Sequence, residues 1–563
     1  MRWESKPIPN EDVINLLQNQ IGVSRNISII LNQRGINNFD SAKSFFRPKL
    51  KDLHDPFLMK DMKHATDRIN EAIKNHEKIL IYGDYDVDGV ASTALLTSFL
   101  RQKTTNIFTY IPDRETEGYG ISINGIEKAF KKGISLIISI DCGIKAVEEI
   151  KYAKSNNIDF IICDHHLPES KIPNAVAVLD PKRNDCEYPF KDLCGCGIGF
   201  KLIQALCLEW GMDTQHLNHY LDLVSLATAA DQVSLTEENR VITYLGIRQI
   251  NENPRPGIRA LLSDFKGQEI SSSTLVFKLS PKVNAAGRLK HATLALKLLL
   301  CEKTEDTVNL SERIKLINAE RKEKDKKTTE EALKQIKERE EDFFSSTLVY
   351  NDNWHPGVLG IVASRLIEKY YRPTIVLTKR NEYYVGSARS IKDFDIYKAL
   401  KKCCKLLEQF GGHKYAAGLK LHESNIELFK IEFEKFTNKN ISENQKIKTG
   451  IYDLEISLSD LNLKFFKIIK QMGPFGQNNL EPIFFTRDCT STSQTRSVGN
   501  ENKHLQVYIK SKNKTYRGIA FGRGHLVNQI KESEGFDIFY SLEENTWNGN
   551  TDLKLVIKYL VIK

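Results

Sequence analysis

The ten residues Ile161–Ser170 read IICDHHLPES. Two isoleucines and a cysteine give way at once to Asp164, His165 and His166, and Pro168 follows. A solvated turn would use Gly, Asn or Ser, so three metal- or proton-handling groups in a row are an unusual way to leave an apolar run. The pattern recurs on either side. KILIYGDYD (78–86) and ISLIISIDCG (134–143) are short apolar runs that end in acid, and AVAVLDP (175–181) is a fourth run. ASTALLTSFLRQ (91–102) and AVEEIKYAKSNN (146–157) read as helices between them. Short apolar runs alternating with helices predict an α/β lobe with a parallel sheet covered on both faces. Ligands of such sheets bind beyond the carboxyl ends of the strands. Asp84, Asp86, Asp88, Asp141, Asp164, His165 and His166 should therefore gather at one sheet edge, although they are spread over about eighty residues.

At 563 residues the chain is too long for one ordinary domain, and roughly three or four are expected. The organisation predicted is an N-terminal segment (1–60), an α/β domain (61–303), a long charged connecting helix (304–343), a smaller α/β domain (344–440) and a C-terminal domain (441–563). The helix is read as 304–342. Its apolar positions thin out after Ile317, so its second half is expected to be solvated and bridging. The smaller α/β unit runs from TLVYND through LGIVASRLIEKY and TIVLT to GSARS and GGHKYAAG. The last residues alternate in the manner of HLQVYIK (504–510), with Gly and Asn turns. Such strands predict a small barrel, an OB-fold. Tyr508 lies close to Lys510, Lys512 and Lys514. That grouping suits base stacking with phosphate neutralisation, or equally a core tyrosine beside a solvated turn.

Hydrophobic residues make up 41% and charged residues 27% of the chain, with a net charge of +9, a balance that permits an anionic partner without establishing one. The first residues hold no apolar signal core, and no apolar run reaches the ~18 residues of a membrane span. The ten cysteines are scattered, several in apolar contexts. A reducing cytoplasm and no membrane are expected. LCGCG (193–197) is no C-x-x-C pair and has no matching second pair, so it reads as small residues in a tight glycine turn rather than a zinc site.

GDYDVDG (83–89) converges three carboxylates on a strand-to-helix loop. They repel one another, so a cation is needed to hold them together. The start resembles a calcium loop, but the twelfth position from Asp84 is Leu95 where glutamate is required, and the flank is a strand. Carboxylates with histidine suit Mn²⁺ or Mg²⁺. With Asp141, His165 and Asp231 there are ligands enough for two ions, a common apparatus for hydrolysing phosphate esters. Asp180 also ends a strand, but LDPKR reads as an ordinary Asp-Pro turn.

GDYDVDGVAS, SIDCGI, ICDHHLP and ATAADQVSL resemble the four motifs of the DHH phosphoesterase superfamily. IPDRETEGYG (111–120), PKVNAAGR (281–288), HPGVLGIVASRL (355–366), GSARS (386–390), GGHKYAAG (411–418) and GPFGQNNLEP (473–482) together resemble the RecJ family of bacterial single-stranded-DNA exonucleases, over nearly the whole chain. The resemblance implies DHH, DHHA1 and OB-fold domains, and 5′→3′ degradation of single-stranded DNA to mononucleotides, in DNA repair and recombination, with two Mn²⁺ or Mg²⁺ ions. Carried over by motif, it makes Asp86, Asp88, Asp141, His165 and Asp231 metal ligands, with Asp88 as the bridge and Asp84 at the same centre. It gives His166 the scissile phosphate, and has Asp164 orient His165 from behind, as metal-bound histidines require. Arg114, Ser387 and Arg389 match positions that hold a 5′-phosphate, and Arg288 and His413 match substrate contacts. A single-strand-binding protein and a helicase are the implied partners.

A lone arginine is more often a surface ion pair. Arg389 stands apart because small residues surround it in VGSARS and allow a phosphate to approach closely. The glycines of GGHKYAAG are tight turns, or else turns whose N–H groups cradle a phosphate. Three positions depart from the family pattern. The fourth motif reads AADQVSL where IADVVPL is usual, Lys282 replaces an arginine, and Asn478 replaces a glycine. None removes a ligand. Two other functions compete: a phosphodiesterase for short oligoribonucleotides or cyclic dinucleotides, and a catalytically dead scaffold. The extra barrel and N-terminal segment favour a longer polymer over the first. The intact carboxylates argue against the second.

Overall fold

The computed structural model describes all residues except 266, 341–342, 512–513 and 548–549, and of 546, 547 and 550 the backbone only. The chain opens with strand β1 (Arg2–Ser5) and helices α1 (Glu11–Ile21), α2 (Arg25–Asn32) and α3 (Phe39–Phe46). It then builds a sheet from β2 (Ile79–Tyr82), β3 (Ile107–Tyr110), β4 (Leu136–Ile140), β5 (Asp159–Cys163) and β6 (Ala177–Leu179). The order is β3-β2-β4-β5-β6, parallel throughout. β4, LIISI, is buried at every position, as a sheet covered on both faces requires. The direction of winding reverses at β2, whose neighbours are β3 and β4. That switch point opens a crevice at the carboxyl ends of β2 and β4. The sequence pattern yields only four of these strands. The one it misses, β3, is an edge strand, half-exposed from Phe108 to Tyr110, and its IFTY lacks its neighbours' continuous apolar character.

Helix α4 (Val87–Leu100) starts earlier than expected because the Asp86 carboxylate caps it, accepting from the Gly89 N–H at 3.1 Å. It is buried at every position except Ser98, the behaviour of a helix apolar on all sides. Helices α5 (Gly195–Glu209), α6 (Leu221–Asp231) and α7 (Ser280–Leu289) join it in one core. Helix α8 (Thr304–Glu338) follows, and the last two residues of the expected helix, 341 and 342, lie outside the described residues. Its second half is not solvated all round. Arg321, Asp325, Thr328, Ala332 and Ile336 are buried at helical spacing, and the last two pack on α9 (Leu359–Tyr370). The stripe begins with polar residues, so an apolar periodicity could not reveal it.

The second sheet comprises β7 (Thr347–Tyr350), β8 (Thr374–Arg380), β9 (Tyr383–Arg389), β10 (Gln409–His413) and β11 (Ala416–His422), in the order β10-β11-β9-β8-β7. Only β7 and β8 run parallel. The glycines of GGHKYAAG lie in a β-hairpin rather than in turns: Gly411 pairs with Gly418, and Gly412 with Ala417.

The last region holds β12 (Thr449–Tyr452), β13 (Leu454–Glu455), β14 (Phe484–Ser491), β15 (Arg496–Val498), β16 (His504–Ser511), β17 (Lys514–Ala520), β18 (Phe536–Trp547) and β19 (Asn550–Ile562). The run β14-β18-β19-β17-β16 closes into a barrel through a β14–β16 pairing at Thr490 and Lys510. Tyr508 is half-buried, and its hydroxyl accepts from Gln506 Nε2 at 2.6 Å. With Lys514, Arg517 and Lys554 it lines a cavity of about 440 Å³ on the barrel. Lys512 lies outside the described residues. The N-terminal segment is built into this barrel. β1 pairs in parallel with β12, and Trp3 stacks on Phe539 with ring centroids 4.3 Å apart. Ile14, Leu17 and Ile30 share one core with Phe484, Leu505 and Leu555. Among the described residues no helix is long and apolar enough to cross a membrane.

Candidate active site

The loops that leave β2, β4 and β5 deliver the acids and histidines to one point, and the end of α6 adds Asp231. His165 Nε2 stands 3.2 Å from Asp141 Oδ1 and 4.0 Å from Asp88 Oδ2, and its Nδ1 is 3.7 Å from Asp231 Oδ2. Three groups offer ligand atoms within 4.8 Å of one another: Asp84, Asp86 and Asp141; Asp88, His165 and Asp231; and Asp141, His165 and His166. Asp141 and His165 belong to two groups each. Asp88, the bridge by resemblance, belongs to one.

The electrostatics are those of a cluster built for a cation. Burial, then the carboxylates of Asp231 and Asp86, pushes Asp88 up to about 8. Burial and neighbouring carboxylates hold Asp84 and Asp141 well above the usual range. Burial also drives the His165 imidazole down to about 4, leaving it neutral and free to ligate. Asp84 Oδ1 and His165 Nδ1 are buried without a hydrogen-bond partner. Orphaned oxygen and nitrogen atoms among crowded carboxylates fit divalent ions.

The geometry alters one expected role. Asp164 does not orient the His165 ring. Its Oδ1 accepts from His166 Nδ1 at 2.7 Å and from the backbone N–H of His165, also at 2.7 Å, while Oδ2 accepts from the Ile144 N–H at 2.9 Å. The turn past β5 folds the carboxylate back onto the second histidine, while the His165 ring meets Asp141, Asp88 and Asp231 instead. Burial would raise Asp164, but His166 outweighs it and holds Asp164 at about 2. Burial likewise disfavours the His166 cation, and the Asp164 hydrogen bond overcomes that and raises the imidazole. Tyr119, not anticipated, donates to the Asp141 carbonyl at 3.1 Å and lies 3.1 Å from His166 Nδ1 and 3.2 Å from its Nε2.

Other residues were missed because their role is backbone chemistry. LCGCG is no isolated turn: it forms the N-terminus of α5, whose Gly195 and Cys196 N–H groups donate to the Asp88 carboxylate at 2.7 and 2.8 Å. A Cβ on Gly195 would stand 2.8 Å from the Asp141 Cα, so only glycine lets this helix end approach. Asn284 of the NAAGR stretch accepts from the Val87 N–H at 3.1 Å, and a Cβ on Gly287 would meet the Tyr85 carbonyl oxygen at 2.4 Å. Lys182 donates to the His165 carbonyl at 2.6 Å. Most of them show in the sequence only as small residues beside motifs, and Lys182 acts on a backbone carbonyl that no motif marks.

A second cluster carries the opposite sign. Arg114, Arg288, Ser387 and Arg389 line one cavity between the two α/β lobes. Arg114 lies 5.0 Å over the Tyr85 ring, Arg288 donates to the Gly357 carbonyl at 3.3 Å, and Arg389 donates to Ser387 Oγ at 2.7 Å. Among the described residues none of the three arginines forms an ion pair with a carboxylate. Burial, then Arg114 and Arg389, lowers Arg288 to about 10. Burial and Arg114 lower Arg389 as well. A Cβ on Gly360 would stand 2.7 Å from Arg389 Nη2. His413 is exposed at the end of β10, within electrostatic reach of Arg389 and His166. Crowded arginines without a carboxylate ion pair suit an anion.

Two of the three departures from the family pattern meet each other. Asn478 Nδ2 donates to Ser234 Oγ at 3.1 Å, and the Leu235 N–H donates to the Gln477 carbonyl at 2.8 Å. The 473–482 loop thus docks three residues past Asp231. Asn478 takes φ 60, a conformation that suits the glycine of the family and that asparagine tolerates. Lys282 donates to the Leu261 carbonyl at 2.6 Å and to Asp264 at 2.9 Å, both within its own lobe.

The DHH family N-terminal domain matches residues 78–228, the DHHA1 domain 340–439 and the RecJ OB domain 452–559. The single-stranded-DNA-specific exonuclease RecJ of Bacillus subtilis is 35% identical over 562 residues, covering 99% of this chain and 70% of that protein. The Escherichia coli protein of the same name is 32% identical, covering 88% of this chain and 89% of its own length. The crystal structure of RecJ in complex with Mn²⁺ from Thermus thermophilus superposes with a TM-score of 0.87 at 25% identity, over 100% of this chain and 79% of that one. On its fold, its three matched domains and this identity along its full length, the chain belongs to the RecJ family.

Proposed function

We propose that this chain hydrolyses single-stranded DNA from the 5′ end and releases mononucleotides. The observation that carries the reading is the pairing of two clusters, one of carboxylates and histidines suited to cations and one of arginines without counter-ions. Asp84 lies within electrostatic reach of Arg114, and Asp86 of Arg288. Relatives named single-stranded-DNA-specific exonuclease support it. Two Mn²⁺ or Mg²⁺ ions suit the cluster, held by Asp86, Asp88, Asp141, His165 and Asp231 with Asp84 beside them. Bound there, they supply an activated water and charge stabilisation for in-line displacement.

The chain's own groups do the rest. Arg114, Arg288, Ser387 and Arg389 hold the 5′-phosphate, which fixes the terminal nucleotide and brings the next phosphate to the acids. His166, whose imidazole the Asp164 hydrogen bond raises, meets that scissile phosphate and offsets its charge. Water adds to phosphorus and the P–O3′ bond breaks. The products are a mononucleotide with a 3′-hydroxyl and a strand with a fresh 5′-phosphate. The barrel, with Tyr508, Lys514 and Arg517 on one cavity, guides the incoming strand. We read the domains as 1–60, 61–303, 304–343, 344–440 and 441–563. The family resemblance further supports a single-strand-binding protein and a helicase as partners, in the cytoplasm and in DNA repair.

The test is digestion of a long 5′-phosphorylated single strand, with a dinucleotide as competitor substrate, in Mn²⁺ and in EDTA. Metal-dependent release of mononucleotides from the long strand is expected. Preference for the dinucleotide would replace this reading with the small-substrate phosphodiesterase.

A further inference from the structure

The cavity that holds the arginines does not end at them. It encloses about 1060 Å³ and continues along the second sheet to Arg380, Tyr383 and Lys420. That exceeds the ~300–1,000 Å³ typical of a pocket for a drug-sized ligand, and a terminal phosphate would fill only one end.

The strand register shows how the floor is made. Successive side chains of a strand point to opposite faces. Arg389, Ser387, Val385 and Tyr383 therefore share one face of β9. Gly418 pairs with Ser387, and Lys420 with Val385. On the next strand Gly411 pairs with Gly418, and Gln409 with Lys420. The opposite face, with Tyr384, Ala388, Ala417 and Leu419, is buried in the core of the lobe. From Arg389 to Tyr383 the floor runs six residue steps, about 20 Å at ~3.3 Å per residue.

The floor's chemistry changes along its length. Arginines and Ser387 occupy the end near the acids. Beside Ser387 the floor is bare: a Cβ on Gly411 would meet nothing within 4 Å, and one on Gly418 only the Gly386 carbonyl oxygen at 3.9 Å. At the far end Lys420 Nζ sits 4.1 Å over the Tyr383 ring, with Arg380 beside it. Among the described residues neither Arg380 nor Lys420 forms an ion pair with a carboxylate, and Glu115 is the one acid among those lining the cavity. Unpaired cations, an aromatic ring and an open glycine floor match the chemistry of single-stranded nucleic acid.

We propose that the outer half of this cavity is a subsite for nucleotides lying 5′ of the phosphate that the arginines hold. The inference rests on the exonuclease reading above. A strand then need not end at Arg389. When its first linkage cannot be cut, it advances by one nucleotide. The second linkage is hydrolysed: water bonds to phosphorus, the P–O3′ bond breaks and the 3′-oxygen takes a proton. The released product is a dinucleotide that keeps the original 5′ end.

The experiment uses the full chain with Mn²⁺ and two 5′-phosphorylated single strands. One is unmodified. In the other, methylene replaces the bridging 3′-oxygen of the first linkage, which keeps its charge and resists hydrolysis. The wild type is expected to release mononucleotides from the first and a dinucleotide from the second. The double variant Arg380→Ala/Lys420→Ala should lose at least about tenfold of dinucleotide release and digest the unmodified strand at the wild-type rate. Failure of the wild type to cut the second strand while digesting the first overturns the subsite and leaves the exonuclease reading intact. Failure on both overturns that reading. Equal loss on both strands in the variant, or none on either, overturns the assignment of these two cations.

Discussion

The acid crevice and the arginine cavity make an instructive pair. Each crowds buried groups of one sign, and in each burial is the largest cause of shifted ionisation: upward for Asp84, Asp88 and Asp141, downward for Arg288 and Arg389. Yet they are built differently. The acids come from three loops of one parallel sheet and one helix end, and backbone N–H groups hold Asp88 in place. The arginines come from the loop after β3, from α7 and from β9, so their cavity exists only when the two α/β lobes are docked. Arg114 reaches Asp84 and Asp86 reaches Arg288, yet burial still shifts Asp84 upward and Arg288 downward, so each cluster suits a ligand of opposite charge. Damage to the first should therefore abolish chemistry, and damage to the second should misplace the substrate.

The sharpest way to break this contrast is Asp88→Ala. It removes a carboxylate from the ion site, and kcat at saturating Mn²⁺ should fall about a thousandfold or more with the fold retained by circular dichroism. Activity above a tenth of wild type would mean that the acids are not the reacting centre. Arg389→Ala should instead cost about 1.5–3 kcal/mol of preference for a 5′-phosphate over a 5′-hydroxyl. Competition between the two strands measures it, and an unchanged preference would remove Arg389 from the phosphate site.

Asp164→Asn probes the support of His166. It should lower kcat about 10–100-fold, the usual effect of losing a group that fixes a neighbour at a metal site. Combined with His166→Ala it should add little further loss. Additive losses would show that Asp164 acts elsewhere. The mildest effect concerns pH. A carboxyl whose folded pKa lies above its unfolded value binds more proton when folded. Its contribution to stability is full below about pH 4, and for Asp88 is lost as pH climbs through about 8. Without metal, stability should fall across that window, and Mn²⁺ should raise Tm more at pH 8 than at pH 5. An equal rise at both would argue that the carboxylates are not crowded as found.

Much of this was legible in the chain. Apolar runs that break into acid predicted the parallel sheet, and alternation of strand and helix predicted that Asp84, Asp141 and His165 would meet. Strand direction alone sends such residues to one edge, so no tertiary knowledge was needed. Other features were not. The edge strand β3 and the buried stripe of α8 carry polar residues that hide their period. The partner of Asp164 depends on how a turn folds back, and either histidine was equally near in sequence. The helix end that clasps Asp88 uses backbone N–H groups, which every residue has. The union of β1 with β12 joins residues more than four hundred positions apart, beyond the reach of any local pattern. Sequence by itself determined the chemistry available, because ionisable side chains are written in it. Tertiary structure decided which groups lack a partner, because burial and crowding belong to the docked lobes and not to the chain.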